Sequence, residues 1–152
     1  MASASPPRLP VDEAAAEAVA KAFKLDGFFP EFNAELCGKV FLHSGMQRFA
    51  AGETLIEQGE TGRDLILLLE GSISVMRLSS LGTVSTEVAR LKPGDVAGEI
   101  ALLKDGVRSA TLCAETPVLA FRLVYEDVGY ILTHNPELAA HLSALARERS
   151  GR

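Results

Sequence analysis

The chain has 152 residues, 47% of them apolar and 23% charged, with a formal net charge of −5 and a pI near 5.2. That length suits one domain, which buries about two-thirds of its extended-chain surface and needs no staples to keep a core. The acidic balance argues against wrapping nucleic acid, a partner that demands many cations, but leaves room for one small anion in a local pocket.

Met1–Val11 is rich in Ala, Ser and Pro and lacks the basic start and apolar run of a signal peptide. Asp12–Phe23 reads as an alanine-rich helix with acids in its first turn, where the helix dipole favours them. Its stripe of Ala16, Val19, Ala20 and Phe23 is expected to dock on the rest of the domain. Asp26-Gly27 is a turn, Phe28, Phe29 and Phe32 look like packing residues, and a second short helix is expected near Ala34–Leu42.

From Gln47 the period changes. Short apolar stretches recur between glycine turns, giving strand candidates at Gln47–Phe49, Thr54–Glu57, Leu65–Leu69, Ser72–Leu78, Thr83–Leu91, Ser109–Cys113 and Val118–Arg122. Leu65–Leu69 is the longest aliphatic run, far too short to cross a bilayer and suited to a buried strand. In Thr83–Leu91 the alternation slips before Leu91, which predicts a bulge near Ala89-Arg90. Many short strands with glycine turns indicate an antiparallel sandwich or barrel. Helical signals return at Tyr125–Leu132, and Asn135-Pro136-Glu137 opens a last helix with an N-cap residue, a proline and an early acid. Leu138, Leu142 and Leu145 form the apolar face of that helix.

Cys37 and Cys113 are the only cysteines and share no metal or redox spacing; Cys37 reads as a buried small hydrophobe. His43, His134 and His141 have no ligand partners at metal spacing, so no metal site is expected. No nucleophile stands beside a base, and no catalytic residue is assigned.

The segment that carries chemistry is Gly94–Thr111. Gly98 permits close backbone approach, and Glu99–Leu103 can form one helical turn with its N–H groups facing an anion. Arg108 offers a planar donor fork suited to phosphate oxygens, Ser109 adds a hydroxyl, and Glu99 can accept from a sugar hydroxyl. Small Ala101 and Ala110 leave room for a ligand. Read alone, these residues equally allow Glu99 and Arg108 to form an internal ion pair beside a tight turn.

As a string, Gly98-Glu99-Ile100-Ala101-Leu102-Leu103 followed by Arg108-Ser109-Ala110-Thr111 closely resembles the phosphate-binding cassette of the cyclic nucleotide-binding domain family. Phe49–Glu53, Gln58–Gly62 and Glu70–Ile73 resemble that family's glycine turns, and the likeness runs from about Phe28 to Ala146. Three positions depart from its pattern. Ala97 replaces an aromatic, the acid after the Gly59–Gly62 turn is displaced to Asp64, and Val107 replaces a proline.

The resemblance implies an eight-stranded antiparallel β-roll, or jelly-roll barrel, with N-terminal helices and C-terminal lid helices. It divides the chain into an N-terminal tail and helix (1–27), a binding domain (28–148) and a short tail (149–152). Arg108 would pair with a cyclic phosphate, helped by Ser109 and the amides of Ile100 and Ala101. Glu99 would bind the ribose 2′-hydroxyl, with Gly98 and Ala110 lining the site. The helix from Pro136 would cover the base through Leu138 or Leu142. The expected ligand is cAMP, because Ser109 lacks the threonine that favours cGMP in resembling domains; cGMP is the alternative. The implied role is a cytoplasmic, non-enzymatic sensor whose helices move on binding and regulate an attached or partner protein, such as a membrane channel or transporter. No nucleic acid is expected as a partner of this chain alone. The competing expectation is a degenerate barrel that binds no ligand and serves as an interaction module.

Overall fold

A computed structural model describes residues 6–29, 31–98 and 106–150. Asp12 caps helix α1 (Glu13–Ala22) by accepting from the Ala15 N–H at 2.8 Å, which satisfies one of the donors that every helix start leaves open. A short 3-10 turn (Leu25–Gly27) follows, then α2 (Ala34–Val40), capped in the same way by Asn33.

Eight strands come next: β1 (Gly45–Phe49), β2 (Thr54–Ile56), β3 (Leu65–Glu70), β4 (Ile73–Leu78), β5 (Ser85–Leu91), β6 (Val96–Ala97), β7 (Thr111–Ala114) and β8 (Val118–Leu123). The last elements are α3 (Tyr125–His134) and α4 (Pro136–Ser150). The strands form two antiparallel four-stranded sheets, ordered β1-β8-β3-β6 and β2-β7-β4-β5, in a jelly roll flanked by helices as expected. The roll is not a closed barrel. Its edge strands β2 and β6 are only three and two residues long, too short to carry a ladder round to the facing sheet.

The aliphatic run of β3 is explained by burial on both faces. Leu65 and Leu67 face a cluster built with Val19 of α1, Phe23 at its C-cap, Phe41, Phe121 and Leu138. Ile66 and Leu68 face the inside of the roll, with Phe49, Ile56, Ile73 and Leu112. A bulge does occur in the β4–β5 hairpin: Val75 pairs with Ala89 but Met76 with Glu87, so Val88 is the extra residue, just before the expected place. The two-residue β6 was not among the strand candidates, since two residues show no alternation.

Residues 6–9 lie along the free edge of β1. Leu9 exchanges backbone hydrogen bonds with Met46 (2.7 and 3.0 Å), and the Gln47 amide donates to the Pro6 carbonyl at 2.9 Å. Cys37 is buried, and burial, with Asp127 nearby, pushes its thiol up to about 12, so it stays neutral and inert.

Candidate functional site

The glycine turn before β3 positions Arg108. Gly59 N–H donates to the Arg108 carbonyl (2.9 Å), Arg108 N–H to the Glu60 carbonyl (2.8 Å), and Gly62 N–H to the Gly106 carbonyl (2.7 Å). These bonds strap residues 106–108 against 59–62 and drive the Arg108 side chain inward, where the residue is only 6% exposed. Its Nη1 donates to the backbone carbonyl of Asp64 at 3.0 Å. Among the described residues no carboxylate lies within 4 Å of its guanidinium.

Two glycines make this space. A Cβ on Gly62 would stand 3.0 Å from an Arg108 Nη. Gly98 has φ +96°, a left-handed conformation that side chains resist, and a Cβ there would meet the Asp64 carbonyl at 2.6 Å and the Arg108 Nη1 at 3.0 Å. Burial pulls the Arg108 guanidinium below its ordinary value; the charges of Asp64 and Glu60 oppose that fall and Arg122 adds to it. An arginine stays protonated in such a place, so the site holds a desolvated cation that gains from an anion.

Beside Arg108 opens a cavity of about 300 Å³, lined by Gly98, Ser109, Ala110, Ala97, Val75 and Leu112 among others. Its size lies at the small end of ligand pockets. Of the expected site residues, Gly98, Arg108, Ser109 and Ala110 therefore come together on one cavity. Glu99, Ile100 and Ala101, with the helical turn expected at Glu99–Leu103, lie outside the described residues. Leu138 and Leu142 do not reach the cavity in this placement of α4. They are 1% and 4% exposed and pack in the cluster of α1, α2 and α3, because that face is where the helices offer apolar area. His141 of α4 adds a bond from Nε2 to the Phe23 carbonyl at 2.9 Å.

Asp64 escaped sequence reasoning. Its carbonyl holds Arg108, one carboxylate oxygen accepts from the Tyr125 N–H at the start of α3 (3.0 Å), and the other pairs with Arg122 (3.2 Å). Arg122 continues to Gln47 at 2.7 Å. The acid displaced by one position after the glycine turn was the available signal. Asp127, in the first turn of α3, accepts from His43 N–H (3.0 Å) and the Ser44 hydroxyl (2.5 Å), tying that helix to the corner before β1. Among the described residues no cluster of His, Cys, Asp and Glu is placed to hold a metal ion, and no helix is long and apolar enough to cross a membrane.

Gly98 and the buried Arg108 thus share one cavity in a jelly roll flanked by helices. The model of the cyclic nucleotide-binding domain family matches residues 46–135, and the chain belongs to that family. Among solved structures it is similar to a cyclic nucleotide-binding domain from Methylobacillus flagellatus KT (18% identity, TM-score 0.72, 93% of this chain and 79% of that one). It is also similar to the regulatory domain of Toxoplasma gondii PKA crystallised with cAMP (23%, TM-score 0.71, 90% and 49%). A third is the catabolite activator protein of Thermus thermophilus (27%, TM-score 0.67, 84% and 57%). The chain thus spans about half the length of the latter two.

Proposed function

We propose that this chain is a cAMP sensor, which binds the cyclic phosphate on Arg108 and passes the event to its C-terminal helices. The observation that carries the reading is the buried Arg108 guanidinium on the cavity wall, held by a backbone carbonyl and, among the described residues, by no acid. A cyclic phosphate supplies the missing charge, and bonds to a charged group are worth about 1.5–3 kcal/mol each. Ser109 and the amides of Ile100 and Ala101 complete the phosphate shell, and Glu99 accepts from the ribose 2′-hydroxyl. The small Gly98 and Ala110 leave the walls free.

The proposed binding unit is 28–148, and the segment before it packs on that unit through Ala16, Val19 and Phe23. The chain acts by binding rather than catalysis. Asp64 joins the Arg108 end of the site to the start of α3, so a ligand that draws Arg108 off the Asp64 carbonyl changes the hold on α3. In the liganded state α4 closes over the base through Leu138 or Leu142. The output is regulation of an attached or partner protein in the cytoplasm, a channel or transporter being the proposed class.

Titration calorimetry of nucleotide-stripped protein with cAMP and cGMP tests the reading. Saturable 1:1 binding in the micromolar range or tighter is expected, with cAMP at least as tight as cGMP. Folded protein that gives no heat with either nucleotide would instead identify a degenerate roll that acts as an interaction module.

A further inference from the structure

Arg77 occupies a position where strand alternation calls for an apolar side chain. Ile73 is fully buried inside the roll, Val75 packs against the same cluster, and Arg77 is the next residue on that face of β4. It lines the same cavity as Arg108. Its Nε donates to the Ser109 carbonyl at 3.2 Å, and among the described residues no carboxylate lies within 4 Å of its guanidinium. That bond orients the guanidinium plane and leaves its Nη groups as a donor pair with no acceptor capacity. Arg108 is held beside the glycine turn by the Asp64 carbonyl, whereas Arg77 extends from β4 and is held by the Ser109 carbonyl. The two guanidiniums thus enter one cavity from different elements, and a ligand anchored by its phosphate on Arg108 meets Arg77 with another of its groups.

We propose that Arg77 is a specificity-determining residue that reads the acceptor edge of the purine base, an inference that rests on the nucleotide-sensor reading above. Both purines carry the N7 acceptor on that edge. Guanine sets the O6 acceptor beside it, whereas adenine sets an amino donor there. A fork of donors thus forms one bond to adenine and two to guanine. Arg77 admits guanine and narrows the margin by which adenine is preferred.

The test is calorimetric binding of cAMP, cGMP and their 7-deaza counterparts, in which N7 is a C–H, to the intact chain and to Arg77→Ala and Arg77→Lys. Removing N7 should weaken binding to the unmodified protein by roughly three- to tenfold, the range for one net hydrogen bond, and leave the alanine variant indifferent. Arg77→Ala should lose more affinity for cGMP than for cAMP, and Arg77→Lys should recover only part of that loss. A 7-deaza penalty that persists unchanged in Arg77→Ala overturns the inference and reduces Arg77 to an anchor for the Ser109 carbonyl. A lysine variant that equals arginine for cGMP also overturns it, because charge alone would then suffice. Absence of binding by the unmodified protein overturns both this inference and the sensor reading. Melting curves of the ligand-free variants verify folding, which substitution of the exposed Arg77 should leave intact.

Discussion

At the scale of single residues, Arg108 and Glu99 separate two views of the cassette. Arg108 faces a full negative charge in a sheltered cavity, so Arg108→Leu should weaken cAMP binding by roughly tenfold to a hundredfold or more. Glu99 accepts from a neutral hydroxyl, and the amide oxygen of Glu99→Gln can do the same, so its loss should be smaller. Because a ligand that binds only the folded state raises the melting temperature, the stabilisation by a fixed concentration of cAMP should shrink strongly in the leucine variant and largely survive in the glutamine one. If the two side chains merely pair with each other, both variants should instead lower the ligand-free melting temperature equally and leave the cAMP effect intact. The leucine variant also removes a buried charge that Asp64 holds only through its carbonyl, so its ligand-free stability should change little.

At the scale of elements, the question is what keeps α4 away from the cavity. Leu138 and Leu142 are buried against α1 and α2, the His141 ring lies 5.0 Å from Phe28, and its Nε2–H reaches the Phe23 carbonyl at the end of α1. Helix α4 is thus bolted to the N-terminal helix at one polar point on an apolar seat. His141→Ala should cost about 0.5–1.5 kcal/mol for the bond, and more if the carbonyl is left dry. Amide exchange should rise in α4 around Leu138–Leu145 while β3 and β8 keep their protection, since the elements of low local stability open first. Uniform loss of protection across the whole chain would show that the latch stabilises the fold globally rather than holding one helix.

At the scale of the molecule, the architecture was legible wherever period and punctuation agreed. Asn135 caps the last helix where the Asn135-Pro136-Glu137 signal put its start, and the glycine turns delimit the strands, whereas Asp12, read as the first helical residue, is the cap of α1 instead. Thr83-Val84 falls in the turn of the β4–β5 hairpin instead of in β5, since a β-branched pair reads as strand whatever its partners do. Ser109-Ala110 was read as the start of a strand, yet pairing begins only at Thr111; Ser109 is held from the side by Arg77. Within the site, Gly98, Arg108, Ser109 and Ala110 were readable because residue type carries their chemistry. Asp64 was not, because it meets Arg108 through a backbone carbonyl, an atom every residue has. Its carboxylate contacts with Tyr125 and Arg122 span some sixty residues and are fixed only by folding.

The strap of residues 6–9 bears on how the molecule behaves in company. Without it, the outer strand β1 would offer the N–H and carbonyl of Met46 to any passing strand, and such an open edge is a template for association between molecules. The chain seals it with its own segment, and the fit is close: a Cβ at Gly45 would overlap the Leu9 carbonyl at 2.8 Å. Deleting residues 1–10 should therefore leave a folded protein with near-normal nucleotide affinity that self-associates as its concentration rises, measurable by light scattering. A deletion that stays monodisperse at high concentration would show that β1 needs no cover. If the shortened protein does self-associate, residues 6–9 serve neither recognition nor folding, but the colloidal solitude of the protein.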